Sequence, residues 1–155
     1  MEWAERMNSA VNYIEENLAE TIDYSEAAKL ACCSTFHFQR TFFVVMGMTP
    51  AEYVRRRRLT LAARELSSSN AKVLDIAIKY GYDSPDAFTR AFRNMHGMTP
   101  QAAREAGVSL VAYPRVSFQV ILKGGNDMDY KIIEKSAFDV IGAASSAPDV
   151  LDRAA

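Results

Sequence analysis

Residues 36–50 read FHFQRTFFVVMGMTP and residues 86–100 read DAFTRAFRNMHGMTP. Extended back to residues 27 and 77, the two stretches align over 24 positions without a gap. Ten residues coincide: Ala27, Lys29, Ser34, Phe38, Arg40, Phe42, Gly47, Met48, Thr49 and Pro50 match Ala77, Lys79, Ser84, Phe88, Arg90, Phe92, Gly97, Met98, Thr99 and Pro100. So many matches, among them the Ser, Gly and Pro that punctuate structure, are hard to obtain by chance. The chain holds two copies of one supersecondary unit.

Each copy reads as helix, tight turn, helix. In the first, Asp23 is placed to cap a helix with Glu26 three residues on, and Ala27, Ala28, Leu30 and Ala31 give it a small apolar face. Cys32 and Cys33 make the turn, and Ser34 caps a second helix that runs to about Met46 and stops at Gly47. In the second copy Val73, Ile76, Ala77 and Tyr80 recur at helical spacing. Gly81 ends that helix, and Ser84-Pro85 supplies a cap and a first-turn proline.

The flanking segments are helical as well. Trp3, Met7, Ala10, Val11, Ile14 and Leu18 follow a 3.6-residue period with acids on the other face. Thr49-Pro50-Ala51-Glu52 opens a long helix with the stripe Leu59, Ala62, Ala63 and Leu66, which links the copies and ends at the polar Ser67-Ser68-Ser69-Asn70. Thr99-Pro100 opens a last short helix that stops near Gly107. The expected fold is all-α: two helix-turn-helix subdomains joined by a long connecting helix, about seven helices in all.

Half of the residues are apolar (49%) and a quarter charged (24%), which fits one ordinary globular domain or two small ones and excludes a disordered chain. No apolar run reaches bilayer-spanning length, and the N-terminal MEWAERMNSA is acidic where a signal peptide is basic; a cytoplasmic protein without a membrane partner is expected. The net charge of −1 hides a segregation: residues 1–26 carry seven acids against Arg6, residues 27–64 seven bases against Glu52. Over residues 1–107 the thirteen bases equal the thirteen acids, so any binding of polyanions must depend on where the charge sits.

Adjacent Cys32 and Cys33 read as small buried turn residues, and with His37 and His96 they make no metal-ligand spacing. No metal, cofactor or catalytic residue is expected. Within residues 35–46, Phe38 and Phe42 point to the core, as Phe88 and Phe92 do in the other copy. The opposite faces offer Phe36, Gln39 and Arg40, and Asp86, Thr89 and Arg90. A helix held by aromatics on one side and presenting guanidinium and amide groups on the other suits a major groove, where Arg pairs with guanine and Gln with adenine. Surface Gln and Arg also occur on purely structural bundles, and that reading stays open on these residues alone. Arg55–Arg58 point all around one helix; at least one is expected to pair internally and the rest to meet phosphate.

The two FxRxF helices, the Gly-Met-Thr-Pro after each, the arginine-rich connecting helix and the stretch IAIKYGYDS resemble, over residues 6–106, the DNA-binding domain of AraC/XylS transcription regulators, in particular the group of MarA, SoxS and Rob. The resemblance implies a bacterial transcription regulator, an activator that contacts RNA polymerase. It binds double-stranded DNA as a monomer with two recognition helices in successive major grooves. Carried over by position, the base-reading residues are Phe36, Gln39 and Arg40 in the first helix and Pro85, Asp86, Thr89 and Arg90 in the second. Pro85 and Asp86 stand where the family often has amides, and Phe43 where it often has a basic residue. His37 is either a packing residue or a phosphate donor.

Beyond Gly107 the period changes. Val116, Phe118, Val120 and Leu122 alternate, Gly124-Gly125-Asn126-Asp127 offers a turn and Tyr130–Ile133 begins a second strand, so a short C-terminal β-hairpin or a partly disordered tail is expected. Residues 110–142 resemble the opening of a GyrI-like effector-binding domain, which implies a small-molecule effector only where that domain is complete. The expected organisation is therefore a DNA-binding domain over 1–107, a partial effector domain over 108–142 and a disordered tail over 143–155. Two rival functions follow from other features: a small-molecule-binding or gyrase-modulating protein acting through residues 110–142, and alkyl transfer to a cysteine. The second lacks an activated Cys–His arrangement.

Overall fold

Side-chain caps begin the helices at the positions the sequence marks. Asp23 accepts from the Ser25 N–H at 2.8 Å, Ser34 from His37 at 3.2 Å, Thr49 from Glu52 at 3.2 Å and Ser84 from Ala87 at 3.1 Å. The structure, a computed structural model, describes residues 2–105 and 107–121. They form α1 (Trp3–Glu16), α2 (Tyr24–Leu30), α3 (Thr35–Met46), α4 (Pro50–Ser68), α5 (Val73–Lys79) and α6 (Pro85–His96), then a single 3-10 turn, Ala102–Arg104. Among the described residues there is no strand, and no helix is long and apolar enough to cross a membrane. The all-α architecture is as expected.

The helices build two cores. Met7, Ala10, Val11 and Ile14 of α1 close over Ala27 and Ala28 of α2, Phe38 and Phe42 of α3 and Tyr53 and Val54 of α4. Leu59, Ala62, Ala63 and Leu66 of α4 pack with Ile76, Ala77, Phe88 and Phe92 in the second. Helix α4, 19 residues and so about 28 Å long, thus gives one end to each core. Its partly buried Leu61 touches both.

One expectation about the repeat needs correction. Helices α3 and α6 correspond at a spacing of 50, but α2 and α5 correspond at 49: buried Ala27, Ala28 and Ala31 take the places of buried Ile76, Ala77 and Tyr80. The closing bonds agree, Cys33 N–H donating to the Ala28 carbonyl and Tyr82 N–H to that of Ala77, both at 3.0 Å. Left-handed Cys32 (φ 54°) therefore stands where Gly81 (φ 80°) stands, and the second turn is one residue longer. The slip also explains why Leu30 is exposed: it occupies the outward place of Lys79, not a place on the apolar face. Cys32, in its left-handed turn, is exposed and not buried; Cys33 is half-buried.

Residues 110–121 correct the expected strand. The segment forms no strand and pairs with none among the described residues; side chains of the first subdomain take its backbone bonds instead. Asn8 donates to the Phe118 carbonyl at 2.9 Å and accepts its N–H at 2.7 Å, the Tyr53 hydroxyl accepts from Val116, and Thr60 accepts from Tyr113. Phe118 is buried against Trp3 and Phe42 at ring distances of 5.7 and 6.0 Å. The second strand expected from Tyr130, the rest of the GyrI-like resemblance and the tail lie outside the described residues.

Candidate nucleic-acid interface

Helices α3 and α6 are built to one plan. Each starts at a serine cap and ends at a left-handed glycine, Gly47 (φ 68°) or Gly97 (φ 76°), whose N–H reaches the carbonyl four residues back at 2.8 Å. Each buries a phenylalanine pair one turn apart: Phe38–Phe42 at 5.9 Å and 55°, Phe88–Phe92 at 5.6 Å and 53°. The inward faces differ one turn on, where α6 buries His96 and α3 half-buries Met46, but share the phenylalanine pair, so the outward faces can be compared position by position.

On α3 the outward side chains are Phe36, His37, Gln39, Arg40, Phe43 and Val44, all exposed. Phe36, His37, Arg40, Thr41, Val44 and Val45 line one open depression. On α6, Pro85, Asp86, Arg90, Arg93 and Asn94 are exposed and Thr89 is half-buried; Asp86, Thr89, Arg90, Arg93 and Asn94 line the matching depression. Of the residues expected to read bases, Phe36, Arg40, Asp86, Thr89 and Arg90 fall on these linings; Gln39 and Pro85 lie beside them. Sequence reasoning passed over Val44, Arg93 and Asn94, although a step of three or four residues from Arg40 and Arg90 reaches each of them. His37 is exposed, which removes the packing alternative. Arg40 and Arg90 have no ion-pair partner among the described residues.

The arginine run on α4 behaves otherwise. All four side chains bond within the protein, where at least one was expected to. Arg55 and Arg56 pair with Glu52. Arg57 grips Glu15 of α1 through two nitrogens at 2.8 and 2.7 Å and donates to the Tyr113 carbonyl. Arg58 holds the turn that follows α1 by donating to the carbonyls of Leu18 and Glu20. A Cβ at position 81 would lie 2.8 Å from the Arg58 guanidinium, a second reason for Gly81 beside its positive φ.

These pairings fix the local charge states. Burial pushes the Glu15 carboxyl up, but the Arg57 and Tyr53 hydrogen bonds outweigh it and hold it below the usual carboxylate range. Burial, then the hydrogen bond to Glu15, raises the Tyr53 hydroxyl. In the second subdomain the Lys79 hydrogen bond holds Glu65 low, and burial with the Glu65 hydrogen bond pushes Tyr80 up to about 12. Burial, then the neighbouring Cys32, pushes the Cys33 thiol up, away from the thiolate that alkyl transfer needs. No cluster of His, Cys, Asp and Glu able to hold a metal occurs among the described residues.

A family described as a helix-turn-helix domain matches residues 27–106, just over half of the chain. The match spans both units and the helix between them. The chain belongs to the AraC-type helix-turn-helix family. This AraC-type domain is 35% identical to the regulatory protein SoxS of Salmonella typhimurium over 98 residues, 63% of this chain and 92% of SoxS. It is 38% identical over 104 residues to the uncharacterized transcriptional regulator YbfP of Bacillus subtilis, covering 67% of this chain but 35% of YbfP, so the chain spans about a third of that relative's length. Among solved structures it is similar to the DNA-binding domain of the global transcriptional factor AdpA in complex with a target DNA. There the TM-score is 0.58 at 30% identity, over 64% of this chain and 90% of that one. The AraC-type relatives are transcription regulators.

Proposed function

We propose that this AraC-type protein is a sequence-specific DNA-binding transcription regulator that inserts α3 and α6 into successive major grooves of one duplex face. The observation that carries this is the duplicated helix: the same caps and the same buried phenylalanine pair hold two exposed faces, each centred on an arginine without a partner among the described residues. Arg40 and Arg90 read guanine edges, Gln39 reads adenine, and Asp86 accepts from a cytosine amino group, with Phe36, Pro85 and Thr89 completing the contacts. The AdpA domain, similar in fold, binds a target DNA. Helix α4 sets the separation of the two readers, because its two ends belong to the two cores. The protein acts as a monomer on its site and contacts RNA polymerase.

Selection of bound duplexes from a random pool by the full chain, at two salt concentrations, tests this. Two enriched blocks with centres about 10 base pairs apart are expected. A single block would remove the second groove contact, and no enrichment at either salt would overturn sequence-specific binding.

A further inference from the structure

At the spacing of 50 that relates α3 to α6, the outward positions pair as Phe36 with Asp86, Gln39 with Thr89, Arg40 with Arg90, Phe43 with Arg93 and Val44 with Asn94. The arginine is common to both. Three of the other four positions change from charged or amide groups on α6 to large apolar groups on α3. These are not buried by the protein: Phe36 and Val44 are each 73% exposed and Phe43 is 52% exposed. Phe36, Arg40 and Val44 follow one another at i, i+4 and i+8, so a guanidinium stands between two apolar groups on a single stripe directly opposite Phe38 and Phe42. From Phe36 to Val44 is about 12 Å along the axis, or three to four base pairs at about 3.4 Å each.

We propose that α3 reads its half-site through the C5-methyl groups of thymines on either side of a guanine. Arg40 takes the guanine, and Phe36 and Val44 make the methyl contacts. The thymine methyl is the one apolar group that a base edge presents in the major groove, so an apolar side chain there distinguishes thymine from the other three bases. The stripe suits this occupant better than a second protein chain. Its centre is a cation with no ion-pair partner among the described residues, and Thr35–Met46 contains no acid to repel phosphate. The structurally equivalent face of α6 carries the groups that read polar base edges. The inference rests on the DNA-binding reading above and names what one of its two helices recognises.

Deoxyuridine keeps the pairing and the O4 acceptor of thymidine and lacks only the methyl group, which makes it the probe. In the duplex selected by the full chain, the α3 block is assigned as the one whose preference relaxes in Arg40→Ala, and each thymine is replaced singly by deoxyuridine. Binding is expected to weaken about four-fold at each contacted methyl, the factor that burial of one methyl-sized group implies. No such loss is expected in the block assigned to Arg90. Phe36→Ala and Val44→Ala remove only exposed side chains, so the fold survives, checked by circular dichroism. Each variant is expected to become indifferent to deoxyuridine at one thymine. Equal affinity for thymidine and deoxyuridine throughout the α3 block would overturn this inference and leave the DNA-binding reading standing. A chain that selects no duplex at all would overturn that reading and this one with it.

Discussion

The first helix-turn-helix unit, α2 and α3, and the second, α5 and α6, hold their outer helices with the same parts in different settings. Serine caps, paired phenylalanines and left-handed glycines coincide. What surrounds them does not: the first core is joined by α1 and by Tyr113, Val116 and Phe118 of segment 110–121, whereas the second is joined by the C-terminal half of α4 and Ala103 of the 3-10 turn. The same contrast appears outward, apolar on α3 and polar on α6. A duplicated scaffold can therefore keep its inward geometry while its support and its recognition surface diverge independently, because the capping and the phenylalanine pair fix the helix locally.

The largest effects should come from the shared parts. Phe42→Ala and Phe92→Ala each remove a fully buried ring, and each is expected to destabilise the chain by about 3–5 kcal/mol in equilibrium denaturation. Phe42 should lie at the upper end, since it also touches Tyr53 at 5.6 Å and Phe118 at 6.0 Å. A larger loss for Phe92→Ala would mean that segment 110–121 adds nothing to the first core.

Next come the unlike parts. Glu15 and Arg57 are 8% and 12% exposed, so Glu15→Gln leaves a buried guanidinium without its counter-ion and should cost about 3 kcal/mol. Glu65 meets a half-exposed Lys79, and Glu65→Gln should cost under about 1 kcal/mol. The carboxyl of Glu15 is held below its unfolded value, so its stabilisation is present above the ordinary carboxylate range and is lost as pH falls through the lowered folded value. Acid denaturation followed by tryptophan fluorescence should reach midpoint at higher pH in a variant lacking the pair. Trp3 reports on this unit through its contact with Phe118.

The inward half of this comparison was legible in the sequence. Ser34, Ser84, Gly47, Gly97 and the phenylalanine pairs act on neighbours within a few residues, and such effects leave a local signature. The partners of the arginine run and of segment 110–121 were not legible. Arg57 finds Glu15 42 positions away and Phe118 finds Asn8 110 positions away, and no periodicity records such pairs. The alternation Val116, Phe118, Val120 implied a strand, but among the described residues the backbone bonds of this segment go to the Asn8 amide and to the Tyr53 and Thr60 hydroxyls. The one-residue slip between α2 and α5 was masked by chance identities, Ala27 with Ala77 and Lys29 with Lys79, which favour the gapless alignment. The outward faces of α3 and α6 were legible where the arithmetic was carried through, at Phe36, Gln39, Arg40 and their counterparts, and Val44, Arg93 and Asn94 on the same faces were passed over, where it stopped a turn early.

Smaller effects concern DNA. Arg40→Ala and Arg90→Ala should each weaken binding to the selected duplex by about 1–3 kcal/mol while sparing affinity for unrelated sequence, measured by titration at fixed salt. An equal loss on every sequence would make the residue a phosphate contact, and would break the correspondence between the two helices if only one behaved that way.

The finest test separates the two outward faces by salt alone. A side chain that meets phosphate releases a counter-ion, so its loss reduces the slope of log K against log salt by about 0.9, whereas loss of an apolar contact lowers affinity without changing the slope. Arg93 and Phe43 occupy equivalent positions on α6 and α3, both exposed. Arg93→Ala should therefore flatten the salt dependence by about one counter-ion, and Phe43→Ala should leave it parallel to that of the parent chain. If Arg93→Ala also leaves the slope unchanged, α6 does not lie against the backbone at that turn, and the difference between Phe43 and Arg93 is one of surface solvation only. If Phe43→Arg steepens the slope by a similar amount, both helices present that position to phosphate, and the apolar character of α3 is a property of its residues and not of a different docking geometry.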